Sequence, residues 1–191
     1  MKILLGTNNQ NKIKQFKRIF INLKSAIKLI SLKEAEIFED VEEDADNLMD
    51  NAKKKAKFYA EKSGLTTIAD DTGLFVDPLN GEPGVHAKRW HDGTELDRCK
   101  KLLEKLKAIP EEKRTCRYTG VLAIYDPRTE KFWTYENSHE AVISDGFRGS
   151  SGFGYDPIFK LPSGKNYAEL TDAERDAISH RGLGIKKYLK N

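Results

Sequence analysis

The sequence predicts an α/β fold, an elongated mixed sheet flanked by helices. Three observations predict it. The chain opens as strand, polar loop and helix. Apolar residues at helical spacing recur later between β-branched-rich runs. The strand-like runs then gather in the middle of the chain rather than alternating strictly with helices.

The elements follow in order. Residues 2–5 form a short apolar run that reads as a buried strand, and residues 6–11 are turn formers. Ile13, Phe16, Ile19 and Phe20 recur at helical spacing, which predicts a helix over about residues 12–22. Residues 28–32 read as a second strand. After the acidic stretch 39–46 a helix begins, with Asp44 or Asp46 as its N-cap. Leu48, Ala52, Ala56, Tyr59 and Ala60 line its inner face, and Gly64 ends it. Residues 66–69 are a strand that closes on Asp70-Asp71-Thr72-Gly73. Gly81, Pro83 and Gly84 mark a long loop, and Leu96, Cys99, Leu102, Leu103 and Leu106 define another helix. Residues 115–125 and 131–136 read as strands joined by a turn, and 138–144 continue the sheet. A glycine-rich loop spans 146–154. Thr171 and Glu174 have the spacing of a capping box, so the last helix starts there.

Composition bounds the function. Charged residues make up 33% of the chain, yet the formal net charge is only +3. Lys and Arg are interspersed with Asp and Glu rather than gathered, which argues against a duplex-binding module. Cys99 and Cys116 show no CxxC or Cys/His pattern and read as reduced thiols. No run approaches the ~20 apolar residues of a membrane span, and the N-terminus lacks a signal-peptide apolar region. A cytoplasmic protein of one domain, residues 1–191, is expected, with no nucleic-acid or membrane partner.

Five segments carry chemistry. Thr7, Asn8, Asn9, Gln10, Asn11 and Lys12 lie between a strand and a helix, where free N–H groups suit phosphate. Lys12 opposes the helix dipole, which a bland surface position would not favour. Gly6 and Lys12 have P-loop spacing, but Asn11 and Ile13 break the motif, so this is not a Walker A loop. An ordinary polar turn is the alternative. Asp70 and Asp71 are adjacent acids at a strand end, the usual ligand position in α/β sheets. Neighbouring side chains on an extended backbone diverge, so at most one is expected to meet a given Mg²⁺ directly. A capping turn is the alternative. The acidic run that includes Glu43 lacks EF-hand spacing and is informative only if Asp71 needs a partner. Gly152-Phe153-Gly154-Tyr155-Asp156-Pro157 offers close backbone approach and a ring able to stack on a base, or else a tight bend that packs its rings inward. Ser179-His180-Arg181 is followed by Gly182 and Gly184, which weaken a helix there.

Together these segments, with Gly81-Glu82-Pro83-Gly84, resemble the inosine triphosphate pyrophosphatase family in order and spacing, over nearly the whole chain. The resemblance implies two lobes around a nucleotide-binding cleft and a homodimer. It implies hydrolysis of deaminated purine nucleoside triphosphates, such as those of inosine and xanthosine, with Mg²⁺ as cofactor. Residues 7–12 would hold the triphosphate. Asp71 would bind Mg²⁺ with Glu43 and act as, or orient, the general base. Thr72 would touch substrate. Phe153, Gly154, Tyr155 and Asp156 would form part of the nucleoside pocket, and His180 and Arg181 would help recognise the purine. Arg175 stands where the family usually has a substrate-contacting Lys, and Asp50 where it usually has Glu. Two rival readings are a pyrophosphatase of the septum-formation type and a nucleotide- or RNA-binding module without turnover. The glycine-rich and Ser-His-Arg segments disfavour the first, and the charge balance the second.

Overall fold

The structure, a computed structural model, describes residues 1–190. Strand β1 (Lys2–Leu5) puts Ile3, Leu4 and Leu5 out of solvent entirely. It lies between β2 (Lys28–Ser31) and β3 (Thr67–Val76), parallel to both, with Ile3 opposite Leu29 and Leu5 opposite Ile68. A parallel strand covered on both faces reads as a continuous apolar run, which β1 does. The parallel connections need crossovers. Helix α1 (Gln10–Asn22) makes the first and α2 (Leu48–Ser63) lies in the second.

The remaining elements are β4 (Pro83–Gly84), α3 (Glu95–Leu106), β5 (Thr115–Asp126), β6 (Lys131–Ile143), β7 (Phe159–Lys160), α4 (Asp172–Ile178) and α5 (His180–Tyr188). The sheet order is β2-β1-β3-β5-β6-β7, with β4 paired to β3. The β3–β4 and β6–β7 pairs are antiparallel, so the sheet is mixed. Among the described residues there are five α-helices, and none is long and apolar enough to cross a membrane.

The chain forms two compact units. The first comprises Met1–Asp71, Gly120–Asn137 and the described residues from Ile178. Phe16, Ile3, Leu5, Ile68, Leu122 and Ile185 pack its core, and Leu4, Leu32 and Tyr59 form a second cluster. The second comprises Thr72–Thr119 and Ser138–Ala177. Its core holds Leu74, Leu102, Leu106, Ile143, Ile158 and Phe159, with both cysteines buried as free thiols.

Several boundaries differ from the sequence reading, each for a local reason. Helix α1 starts earlier, at Gln10, because the Asn9 side chain caps it by accepting from the Asn11 and Lys12 N–H groups. The cap of α2 is Asn47, not Asp44 or Asp46, through the Asp50 N–H. Strand β3 does not end at the paired acids but runs on to Val76, where Leu74 and Phe75 pair with β4. The runs expected at 131–136 and 138–144 are one continuous strand, β6. The last helix is two helices. Ser179 breaks it and caps α5 by accepting from the Gly182 N–H. Gly182 and Gly184 therefore lie inside α5 rather than ending a helix. At Gly184 a β-carbon would come within 2.8 Å of Leu122 and 3.0 Å of Tyr135, so glycine permits close packing there.

Candidate active site

The β1–β3 ladder ends at Leu5 and Ile68, two residues before Asp70. Asp70 and Asp71 thus lie beyond the end of β1, although inside β3. Alternation along β3 sends their side chains to different partners.

Asp70 is fully buried and collects cations. Its Oδ2 meets Lys12 Nζ at 3.0 Å, accepts from Arg181 Nη2 at 2.5 Å, and lies 3.4 Å from His180 Nε2. Oδ1 has no hydrogen-bond partner among the described residues. Arg181 Nη1 also donates to Gln15 Oε1 at 2.9 Å, and Gln15 reaches Ser179 Oγ at 3.4 Å. One carboxylate therefore ties β3 to the first turns of α1 and α5. Burial alone would raise its carboxyl, but the Arg181 guanidinium and Lys12 ammonium hold it well below the carboxylate range. Burial lowers the His180 imidazole to about 4, helped by Arg181, so the ring is neutral near pH 7. A neutral ring facing a carboxylate carries its proton on Nε2 and donates it to Asp70. Gly120 makes room for that ring, since a β-carbon there would lie 2.2 Å from His180 Nδ1.

Asp71 looks to α2. Lys55 donates to Asp71 Oδ1 at 3.2 Å and forms a short ion pair with Glu43 Oε1. Asp71 Oδ2 is buried with no hydrogen-bond partner among the described residues. Burial raises the Asp71 carboxyl, Lys55 and Lys12 oppose that, and Glu43 adds to it. Burial would lower Lys55, but Asp71 and Glu43 outweigh it and raise the ammonium. For Lys12 burial wins over Asp70, so its ammonium titrates below the usual lysine range. That suits a cation kept in a partly dry site, its side chain 13% exposed.

The structure thus brings Lys12, Glu43, Asp71, His180 and Arg181 together in the first unit. In the 7–12 loop several donors are already used. The Asn9 N–H goes to Thr7 Oγ1, and those of Asn11 and Lys12 go to the Asn9 cap. Asn8 Nδ2 donates to Asp40, and Gln10 Nε2 reaches the Asn8 carbonyl. Asp50 is exposed and capped by Asn47 at the start of α2.

The other candidates stand in the second unit. Thr72 is half-buried in β3. Phe153 is half-buried, and its N–H donates to Asp156 Oδ2 at 2.9 Å. Gly154 N–H donates to Glu95, while Tyr155 is in the core with its hydroxyl donating to the Ala87 carbonyl at 2.9 Å. At Gly152 a β-carbon would strike Asp156 and Arg175, so this turn demands glycine. Arg175 is buried and bonded to Ser151 Oγ and Asp172.

Two residues of the first cluster escape the motif reading, Lys55 and Gln15, and Asp70 reads only as one half of an adjacent acid pair. Lys55 and Gln15 each carried a signal. Lys55 lies on the same stripe as Ala52 and Tyr59, and Gln15 stands among Ile13, Phe16 and Ile19, so both are polar groups at buried positions.

The sequence profile described as the Ham1 family matches residues 3–191. The chain belongs to the Ham1 family. A protein of Thermoanaerobacter sp. named dITP/XTP pyrophosphatase is 42% identical over all of this chain and 96% of its own length. A HAM1 protein from Coxiella burnetii superposes with a TM-score of 0.85 at 33% identity, covering 98% of this chain and 96% of its own. A nucleoside-triphosphatase / dITP/XTP pyrophosphatase from Mycobacterium abscessus gives a TM-score of 0.76 at 36% identity, over 99% of both chains. Ham1 membership thus rests on a full-length match in sequence and in fold.

Proposed function

We infer that this Ham1-family chain is a nucleoside triphosphate pyrophosphatase that hydrolyses deaminated purine nucleoside triphosphates, ITP, dITP and XTP, to the monophosphate and pyrophosphate. The observation that carries this reading is the carboxylate–ammonium cluster of half-buried Glu43 with buried Lys55 and Asp71, beside Lys12, in a chain full-length similar to dITP/XTP pyrophosphatases.

Mg²⁺ fits this donor set. Among the described residues no group of three or more His, Cys, Asp or Glu side chains gathers as a metal cage. Mg²⁺ needs only one or two carboxylates when phosphate oxygens and water complete its shell. Asp71 has a buried oxygen without a hydrogen-bond partner among the described residues, and it shares one ammonium with Glu43. Held by Glu43 and Asp71, the ion would neutralise charge that builds up on the phosphates. Lys12 binds the triphosphate. Asp71, with its carboxyl raised by burial, takes the proton of the attacking water as the water's oxygen bonds to the α-phosphorus and the bond to the pyrophosphate oxygen breaks.

The side chains of His180 and Arg181 are engaged with Asp70, so the proposed readers of the 6-oxo group are the N–H groups that open helix α5. A 6-oxo purine offers them an acceptor, whereas adenine offers a donor. In the second unit, Phe153 is proposed to stack on the base, with Thr72, Gly154, Tyr155, Asp156 and Arg175 as its proposed neighbours at the substrate. A cytoplasmic homodimer of single-domain subunits is proposed as the working form. The experiment is Asp71→Asn, which keeps the shape but removes the basic site. It should lower kcat for pyrophosphate release by about 10²–10⁴-fold, and an unchanged kcat would remove Asp71 from the chemistry.

A further inference from the structure

Lys55 is an unusual neighbour for a proposed metal site. Its side chain is 10% exposed, it reaches both Glu43 and Asp71, and it stands on the inner face of α2 among Ala52, Ala56 and Tyr59. The helix is anchored by its Asn47 cap at one end and Gly64 at the other, so the Lys55 backbone is fixed. The side chain is a flexible four-carbon stem with a point charge at its tip. A second cation approaching Glu43 and Asp71 meets that charge in a partly dry site, where repulsion is strong.

We infer that the Lys55 ammonium holds the place between Glu43 and Asp71 that a divalent cation would take, so that the metal enters only with an anionic substrate that gives Lys55 a new partner. This rests on the metal role proposed for Glu43 and Asp71. The consequence is synergy. A free divalent ion competes with a resident charge, whereas phosphate draws Lys55 off the carboxylates and opens them to the ion. The reciprocal coupling holds for the phosphate. The device keeps the buried Asp71 and the half-buried Glu43 paired with a cation between turnovers.

The test is calorimetric titration of Mn²⁺ into the full chain without nucleotide, for the wild type, Lys55→Gln and Lys55→Arg. Lys55→Gln should bind Mn²⁺ at least about tenfold more tightly than the wild type, and Lys55→Arg should stay weak because it keeps the charge. Equal affinities for wild type and Lys55→Gln, or no binding by Lys55→Gln, would overturn the inference. Adding Asp71→Asn to Lys55→Gln separates the two levels. If the double variant binds as tightly as Lys55→Gln, the ion is elsewhere and the metal role of Asp71 fails. If Lys55→Gln is unstable, the wild type alone still decides. The electron paramagnetic resonance signal of protein-bound Mn²⁺ at sub-saturating metal should rise on adding inorganic pyrophosphate, and an unchanged or smaller signal would refute the synergy.

Discussion

Gly120→Ala adds one methyl group at the place where the neutral His180 ring packs. The new carbon would stand 2.2 Å from His180 Nδ1, 2.4 Å from Cγ and 2.5 Å from Cε1. Real contacts of this kind lie near 3.5–4.0 Å, so the ring must move by about an ångström or more. The ring is buried with His180 itself 6% exposed, and it begins a helix whose cap is fixed by Ser179. Overpacking of this sort costs about 1–3 kcal/mol. Movement also breaks the Nε2 contact with Asp70, already long at 3.4 Å. That bond therefore contributes at the low end for a charged acceptor, about 1.5 kcal/mol. The expected destabilisation is about 2.5–4.5 kcal/mol. Urea unfolding of the variant against the wild type measures it. Because the shift disturbs the group that gathers Lys12 and Arg181, kcat/KM for inosine triphosphate should fall as well, with secondary structure unchanged by circular dichroism. A variant within about 0.5 kcal/mol of the wild type, with normal kcat/KM, would refute the reasoning that His180 is locked between Gly120 and Asp70.

Two further outcomes follow from the same cluster. Asp70→Asn leaves the Lys12 and Arg181 charges buried without their carboxylate, and should cost about 3–5 kcal/mol in urea unfolding; a loss below about 1 kcal/mol would mean the cations relax to solvent. The pH dependence has a defined sign, because the His180 imidazole titrates at about 4 in the folded protein against 6.5 as its ordinary value. Its contribution is fully present above pH 6.5 and is lost as the pH falls toward 4, where the unfolded chain binds the extra proton; the loss reaches about 3 kcal/mol. The difference between wild type and His180→Gln, measured by urea unfolding at several pH values, should shrink across that window, and a constant difference would contradict a buried neutral ring.

Periodicity made most of the fold legible. The apolar stripe of α1, the inner face of α2 with its Gly64 stop, and the leucine pattern of α3 all appear in the sequence because one helical face must leave water. Strand ends were less legible. Nothing in Asp70 and Asp71 themselves reveals that β3 runs on to pair with β4, because Pro83 and Gly84 read as loop formers rather than as a strand. The Ser179 break was hidden because the residues on either side, Ile178 and His180, continue a plausible helix, whereas in the fold Ser179 is extended and caps α5 through the Gly182 N–H. At the site, the motifs pointed to Lys12, Asp71, His180 and Arg181 as separate pieces. The convergence of Lys12, His180 and Arg181 on Asp70 was not legible, because it depends on strand β3 meeting the first turns of two helices far apart in sequence. Lys55 was readable in principle as a charge on an apolar stripe, but such lysines more often extend to solvent along their stems.

The most direct test of the central claim is kcat/KM for inosine, xanthosine, adenosine and guanosine triphosphates side by side with Mg²⁺, with the products identified. An unpaired buried donor costs about 1–3 kcal/mol, so two donors facing the adenine amino group would give selectivity of roughly 10²–10⁴. The account predicts release of pyrophosphate, not orthophosphate, and inosine and xanthosine triphosphates favoured over adenosine triphosphate by at least about a hundredfold. Comparable values for inosine and adenosine triphosphates, or orthophosphate as the product, would contradict it.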